Sequence, residues 1–355
     1  MPLAGYKAAS VFGYSSARVK AMESRLLSKE IMNSIINATD LGGIISILIQ
    51  TDYRSNLEEF GGVKLKGEMI DFALSKNLAV NVGKLITITP PMYKDIIRAM
   101  VGKWDLYNIK LAVEAKERGM KFEDISRYVI DYGPYNAYNL QQLMNEPNTE
   151  SILSKLAVSS PYKQIIAEAL NSYKKSRDVS GVNMAIDRAY YIGMGSTITK
   201  LMDLHHESAM MIRYDIDMRN LIQLIKAKKF GLKFSEVSEQ ILPNGSLKER
   251  ELEEMYESAK SIEEFIGSIK VFDLSKELEA YRKEKHKRLL AFEIGMRNQI
   301  FNSAAKLLRH SILSFGTIVA YSYMKEMEVL TLRVLVSSKI YALGSEETKG
   351  LISWS

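Results

Sequence analysis

Apolar residues recur at helical spacing through most of the chain, and two long stretches contain neither glycine nor proline. In the first, 196–230, the spacing predicts one continuous helix, about 50 Å long at roughly 1.5 Å per residue. In the second, 268–294, an apolar stripe among dense charges predicts an amphipathic helix that packs on one side only. Helix is therefore the dominant predicted element.

Two glycines mark predicted helix ends. Gly119 and Gly231 each follow a turn rich in basic residues, which are favoured at the negative end of the helix dipole. Glycine is also the residue most often found just beyond a helix end. A second helix is predicted to begin at Phe122 and at Phe234, so each stretch indicates a helical hairpin.

The two hairpins belong to an internal repeat. Residues 108–133 align without a gap with residues 220–245, at a shift of 112 (220 − 108), and eight of the 26 aligned pairs are identical. Most other pairs exchange one apolar residue for another. A period of this size indicates duplicated domains rather than a solenoid.

Weaker echoes of the repeat occur at 294–298 and at 14–19, and they indicate a third unit. We therefore expect three related helical domains. These span 1–103, 104–213 and 214–355, with the C-terminal helices packing back on the first domain.

Two shorter regions are less regular. Residues 77–91 alternate like strands around Gly83 and end at two prolines, so a short β-hairpin and a helix with a loop both stay open. Helix with loop is the preferred interpretation. Residues 173–182 are predicted as a surface loop between helices.

Composition narrows the classes of function. The chain has 355 residues, 46% of them hydrophobic and 25% charged, which is ordinary for a folded protein of two or three subdomains. It contains no cysteine. Disulfides, thiolate catalysis and cysteine metal ligands are therefore excluded.

Charge and run length bear on membranes and nucleic acids. The net charge of +6 is mildly basic and favours an ordinary solvated surface over a nucleic-acid site. The basic run 283–288 is predicted as a solvated helix face, with an anionic membrane surface as the alternative. The N-terminus lacks signal-peptide features, and the longest uncharged run, 310–324, falls short of the about 20 apolar residues that span a bilayer. We expect a protein that does not cross a membrane by itself.

The sequence lacks the common motifs for catalysis and cofactor binding. It has no phosphate-binding loop and no dinucleotide-binding glycine motif. The best metal candidate is His205-His206-Glu207 with Asp203, but adjacent helical side chains point about 100° apart and cannot share a metal. Two surface histidines are the preferred interpretation, and we expect no cofactor and no metal.

Four stretches carry a further signal. They are 14–22 (Tyr-Ser-Ser-Ala-Arg-Val-Lys-Ala-Met), 103–110 (Lys-Trp-Asp-Leu-Tyr-Asn-Ile-Lys), 215–221 (Asp-Ile-Asp-Met-Arg-Asn-Leu) and 323–333 (Tyr-Met-Lys-Glu-Met-Glu-Val-Leu-Thr-Leu-Arg). In this order and spacing the chain resembles the C subunits of the archaeal and bacterial A/V-type ATP synthases, a family that includes the d subunits of eukaryotic vacuolar ATPases. Ser16, Lys20 and Ser338 depart from the usual Asn, Arg and Gly, which affects packing details only.

The resemblance implies an all-α, funnel-shaped subunit of three similar helical domains with pseudo-threefold symmetry. It implies a non-catalytic rotor part, peripheral to the membrane on its cytoplasmic face. There it would link a ring of c/K-type proteolipid subunits to the D and F subunits of the central stalk and transmit torque. Such a part would serve ATP synthesis and proton or other ion transport in archaea or bacteria, with no cofactor, metal or nucleic acid.

The polar residues of the repeated stretches are predicted as packing or partner-interface groups, because a duplicated scaffold rarely needs two identical active sites. The rival interpretation is an α-helical adaptor or nucleic-acid-binding scaffold unrelated to a rotary ATPase. A metal-dependent hydrolase centred on His205 and His206 is a third. The interface candidates are Arg18, Asn108, Asn220, Asn298, Glu328 and Arg333.

Overall fold

The chain is built from helices. A computed structural model describes residues 2–59, 67–283, 288–344, 348 and 350–352. Within these residues the regular elements are α-helices and short 3-10 turns, without a β-strand, which confirms the all-α prediction. The α-helices are α1 (Pro2–Glu23), α2 (Lys29–Asn37), α3 (Leu41–Leu48), α4 (Arg54–Glu59), α5 (Gly67–Ile88), α6 (Lys94–Glu117), α7 (Phe122–Ile125), α8 (Ala137–Met144), α9 (Thr149–Ser159), α10 (Lys163–Ser176), α11 (Val179–Leu204), α12 (His206–Lys229), α13 (Phe234–Val237), α14 (Glu249–Ser258), α15 (Ile262–Ser268), α16 (Ser275–Lys283), α17 (Leu290–His310) and α18 (Phe315–Ile340).

The region 77–91 is helical up to its prolines. α5 runs through it to Ile88, and its leucines at positions 74, 78 and 85 are buried at helical spacing, so the β-hairpin alternative is wrong. Pro91 begins a 3-10 turn that ends at Tyr93, directly before α6. Proline fits there because the first turn of a helix leaves its N–H groups unused.

The prediction of one continuous helix over 196–230 is wrong at a single residue, His205. α11 ends at Leu204 and α12 begins at His206, because His205 takes φ −150° and ψ 74°, outside the helical region. The ring of His205 packs beside the rings of Phe12 and Phe315, with centroids 5.9 Å apart in each case. Tertiary packing therefore accompanies a break that no glycine or proline announces.

The prediction of one long helix over 268–294 is also wrong. Its helical part begins only at Ser275, where Asp273 accepts hydrogen bonds from the N–H and the hydroxyl of Ser275. Before that point Ile269 and Phe272 are buried outside any helix. α16 ends at Lys283, and residues 284–287 of the basic run lie outside the described residues.

The surface loop predicted over 173–182 is largely helical. Only Arg177 and Asp178 separate α10 from α11. Arg177 takes a left-handed φ of 55°, and the Asp178 side chain accepts hydrogen bonds from the N–H groups of Ser180 and Gly181. A helix end and the next N-cap are thus compressed into two residues.

The internal repeat reappears in the order of the helices. α6 to α11 and α12 to α17 both follow the order of a long helix, a one-turn helix and four further helices. α6 and α12 begin at Lys94 and His206, 112 residues apart (206 − 94). Gly119 and Gly231 follow these helices with φ of 67° and 70°, as the predicted helix ends require.

Six long helices pack in a closed cycle. α5 contacts α6, α6 contacts α11, α11 contacts α12, α12 contacts α17, α17 contacts α18, and α18 returns to α5. Neighbours run antiparallel. Between α6 and α11, Lys110 pairs with Asp187 and Glu114 bonds to Asn183, and the bonds between α18 and α5 follow the same reversed order.

Three hydrophobic clusters fill the fold. One lies within 106–186 and another within 218–300. The third joins the N-terminal helices, residues 191–216 and α18, which packs on α1, α3 and α5. The two ends of the chain therefore share one core. Among the described helices, none has the length and apolar character that crossing a bilayer requires.

Candidate functional site at the meeting point of three hairpins

Three aromatic rings meet where the long hairpins turn. Tyr93, His205 and Phe315 stand at or next to the starts of α6, α12 and α18. The centroids are 6.2 Å apart for Tyr93 and His205, 5.3 Å for Tyr93 and Phe315, and 5.9 Å for His205 and Phe315. Phe12 of α1 adds a ring against Tyr93 and His205. The three turns therefore lie together, and we call Tyr93, His205 and Phe315 the junction.

His205 serves the junction as an aromatic group. Burial lowers the pKa of His205 below its usual value, which favours the neutral ring. Across the described residues, His, Cys, Asp and Glu side chains form no group of three or more that could hold a metal ion. Asp203 and Glu207, its neighbours in the metal candidate, are thus not assembled with it into a ligand set.

Three charged residues occupy matched positions further along the same helices. Lys103, Asp215 and Glu326 each lie about three turns beyond the junction ring of their helix. Lys103 Nζ is 2.5 Å from Glu326 Oε2 and 5.6 Å from the ring centroid of Tyr323. Lys103, Asp215 and Tyr323 together line one small cavity. We call Lys103, Asp215 and Glu326 the waist.

The charges at the waist are balanced by further partners. Arg219 Nε donates to Asp215 over 3.1 Å. Burial alone would raise the pKa of Asp215, but Arg219, Lys103 and Arg297 outweigh it and bring that pKa below its usual value. The Lys103–Glu326 pair therefore ties α6 to α18, while Arg219 holds Asp215 within α12, on the wall of the same small cavity.

A buried carboxylate lies two residues beyond each waist residue on the same helix. Two of the three accept a hydrogen bond from a tyrosine hydroxyl, Asp105 from Tyr162 over 2.6 Å and Glu328 from Tyr53 over 2.7 Å. The third, Asp217, accepts hydrogen bonds from the N–H and the hydroxyl of Ser246. Each carboxylate therefore holds a separate segment of chain against its long helix. The three are Asp105, Asp217 and Glu328.

The Glu328 site joins the two ends of the chain. Lys325 Nζ lies 2.7 Å from Glu328 Oε1 and 3.0 Å from the hydroxyl of Tyr53. The N–H of Leu27 donates to Glu328 over 2.6 Å. The Lys325 and Glu328 side chains are 3% and 0% exposed, so both charges depend on these partners.

Asn108 and Asn220 hold the chain 22 residues downstream of themselves. Asn108 donates to the carbonyls of Ile130 and Tyr135 and accepts from the N–H of Ile130. Asn220 makes the matching pair of bonds with the carbonyl and N–H of Leu242. Both side chains are buried, so in this chain they brace the segment after each hairpin.

The remaining interface candidates lie in different surroundings. Arg333 donates to Ser75 over 2.6 Å and lies 3.7 Å from Asp71. Arg18 is exposed on α1. Asn298, on α17, has a buried Oδ1 without a hydrogen-bond partner in the described part of the chain. The assignment of all six candidates to a partner interface stays a prediction.

Sequence reasoning missed the junction and the waist, although the repeat held a signal for both. The shift of 112 carries Tyr93 onto His205 and Lys103 onto Asp215 (205 − 93 and 215 − 103). The aligned residues differ in type, so counting identities passes over them. Their importance comes from their position in three dimensions, where matched sites meet.

Known proteins resemble this chain over nearly its full length. The family described as ATP synthase (C/AC39) subunit matches residues 15–351. The C subunit of the A-type ATP synthase of Thermoplasma acidophilum is 23% identical, covering 95% of this chain and 97% of that protein. Those of Methanocaldococcus jannaschii and Thermococcus kodakarensis are 26% and 27% identical, covering 96% and 92% of this chain and 86% of each relative. The chain belongs to the ATP synthase (C/AC39) subunit family.

Proposed function

We propose that this chain is the non-catalytic coupling subunit of an A-type ATP synthase. In this role it links the D and F subunits of the central stalk to the membrane ring of c/K-type proteolipid subunits and transmits torque between them. Family membership supports a place in such an enzyme. The observation that carries the proposal is the convergence of three helical hairpins on one junction.

The packing supports a funnel of three similar helical domains about a pseudo-threefold axis. The junction and the waist draw α6, α12 and α18 together along their first halves. Their second halves enter three different hydrophobic clusters. Helices that meet at one end and part at the other enclose a space that widens away from the junction. The wide end offers a seat for the tip of a stalk.

The proposed domains are 1–103, 104–213 and 214–355, with α18 returning to the first. The clusters within 106–186 and 218–300 support the second and third domains. The bonds from Glu328 to Tyr53 and Leu27 support the return of α18 to the N-terminal helices.

A torque coupler must be stiff, and buried ties between long helices supply stiffness. Lys103 and Glu326 link α6 to α18 inside the fold. Close-packed interiors resist deformation and transmit strain, so force applied at one end is passed to the other. A joint of this kind needs no active site, cofactor or metal of its own.

We place the protein at the cytoplasmic face of the cell membrane, peripheral to the bilayer, with the ring at the junction end. Arg18 supports contact at that end, because it is exposed on α1 and its neighbour Ser15 bonds to Ile88, beside the turn into α6. The Oδ1 of Asn298 has no hydrogen-bond partner among the described residues, and because it is buried it would gain one from a binding partner only after its side chain turns outward. The other candidates would act by bracing the surfaces that partners meet; they are Asn108, Asn220, Glu328 and Arg333.

The test is co-purification with a stalk complex of D and F. The wild-type chain is expected to retain the complex and to hydrolyse no ATP alone. Lys103→Glu sets two acids against each other at the waist and is expected to weaken retention. Adding Glu326→Lys restores an opposite-charge pair and should restore retention.

Three results bear against the proposal. The coupling role is wrong if the wild-type chain retains neither stalk nor ring. ATP turnover by the chain alone would contradict a non-catalytic role. If Lys103→Glu retains the stalk as well as the wild type does, the waist has no part in coupling.

A further inference from the structure

The junction end carries three exposed apolar side chains. Met92, Leu204 and Ile312 are 71%, 51% and 73% exposed. Each lies within three residues of a junction ring, and those rings are 5.3 to 6.2 Å apart. The three side chains therefore project from one small region of the surface. We call Met92, Leu204 and Ile312 the junction tip.

Two of the three segments that present the junction tip, those of Met92 and Ile312, are uncharged and held in place. Residues 89–93 and 311–314 contain no ionisable acid or base apart from the phenol of Tyr93. Proline fixes the backbone before Met92, and the hydroxyl of Thr317 donates to the carbonyl of Ser311 over 2.8 Å, beside Ile312. A fixed presentation reduces the entropy that docking would cost.

Among the charged residues that flank the junction tip along the chain, cations exceed acids. The cations within two helical turns are Lys94, Arg98, Lys200, Lys306 and Arg309, and the acids are Asp95, Asp203 and Glu207. An excess of lysine and arginine close to exposed apolar side chains matches a surface with anionic head groups over hydrocarbon.

We propose that the junction tip enters the surface of an anionic lipid bilayer. Hydrocarbon takes up the apolar side chains, while the flanking cations pair with lipid head groups. Contact of this kind is shallow and needs no spanning helix, in keeping with the described helices. It rests on the proposed function in one respect, since a protein seated over a membrane ring would meet the lipid at the centre of that ring.

The experiment is sedimentation of the purified full-length chain with vesicles. One set contains phosphatidylcholine alone and the other equal parts of phosphatidylcholine and phosphatidylglycerol. The wild-type chain is expected to sediment with the anionic vesicles, and less so as salt rises. The variant Met92→Ser/Leu204→Ser/Ile312→Ser should partition at least about tenfold less, because it loses three apolar contacts.

A matched control removes exposed apolar side chains elsewhere. Val158, Phe230 and Tyr341 are 82%, 76% and 76% exposed and lie outside the junction turns. The variant Val158→Ser/Phe230→Ser/Tyr341→Ser should sediment like the wild type. Circular dichroism and thermal unfolding verify that both variants fold.

The outcomes separate lipid binding from the coupling role. Equal sedimentation of the tip variant and the wild type, or none by either, overturns lipid contact. So does loss of binding by the tip variant to a delipidated ring in detergent, which would make the tip a protein-docking surface. Retention of the stalk is measured on the same samples, so its failure contradicts the coupling role independently of the vesicle result.

Discussion

Buried amides at matched positions set the path of the chain after each hairpin. Asn108 satisfies the N–H and the carbonyl of Ile130, which would otherwise be buried without partners, and Asn220 does the same for the half-buried Leu242. Asn108 satisfies one carbonyl more, that of Tyr135. Unpaired buried backbone groups are costly, so the two sites should differ in energy.

Replacing these amides tests that difference. Asn108→Ala leaves three backbone groups unpaired and is expected to lower the free energy of unfolding by about 3 kcal/mol. Asn220→Ala leaves two unpaired and should cost about 2 kcal/mol. Chemical denaturation of both variants measures the order. Losses below about 0.5 kcal/mol at both sites would show that the amides do not brace the chain.

Asp105 gives the fold a pH dependence of definite sign. Burial raises its pKa to about 6, against the hydroxyl of Tyr162, which lowers it. An acid whose pKa is higher in the folded state binds its proton more tightly there. Its contribution to stability is therefore present below about pH 4 and is lost as pH rises through about 6.

The variant Asp105→Asn keeps an acceptor for Tyr162 but does not titrate. The unfolding free energy of the wild type, relative to this variant, is expected to fall by about 3 kcal/mol between pH 4 and 7. Tyr162→Phe removes the hydroxyl that lowers the pKa, so the fall should move to higher pH. Parallel stability curves for the wild type and Asp105→Asn would contradict the raised pKa.

At the scale of elements, backbone conformation sets the ends of the long helices. Gly119 and Gly231 have positive φ, and an added Cβ would meet no other group within 4 Å. Gly119→Ala and Gly231→Ala should each cost about 1 kcal/mol, through backbone strain alone. Gly193, inside α11, has equally open space without a positive φ. Gly193→Ala should raise stability by up to about 1 kcal/mol, and thermal unfolding tests whether the signs are opposite.

Elements with local signals are predictable from the sequence, and those set by distant contacts are not. The ends of α6 and α12 can be predicted because the glycine lies at the end itself. The break at His205 cannot, since it accompanies packing against Phe12 and Phe315 from far along the chain. The turn at Arg177 and Asp178 is predicted as a longer loop because its polar surroundings resemble one in composition.

At the scale of the whole molecule, the repeat predicts that units exist but not where they meet. Lys103, Asp215 and Glu326 share a position and differ in charge, so only the folded arrangement shows that Lys103 and Glu326 pair. In the sequence, the candidate Glu328 is one of several helix polar groups. The structure shows it bonding to residues more than 270 positions away along the chain.

The packing of α18 against the N-terminal helices should depend on Glu328. Glu328→Ala leaves the buried Lys325 without its carboxylate and is expected to cost about 3 to 5 kcal/mol. Tyr53→Phe removes one hydroxyl from the same site and should cost about 1 kcal/mol. Because the tie holds α18 to the N-terminal helices, backbone amides of α2 to α4 should exchange hydrogen faster in Glu328→Ala. Chemical denaturation and hydrogen exchange measure the two effects.

The control is an ion pair that is exposed to solvent rather than buried. Arg250 and Glu254 pair on α14 with side chains 84% and 62% exposed. Breaking this pair with Arg250→Ala should change stability by less than about 0.5 kcal/mol, because water replaces the lost partner. If Glu328→Ala costs no more than Arg250→Ala, or speeds exchange equally in all helices, Glu328 does not hold the two chain ends together. A large loss of protection from hydrogen exchange, confined to the N-terminal helices and α18, would show that one buried carboxylate holds together a unit assembled from both ends of the chain.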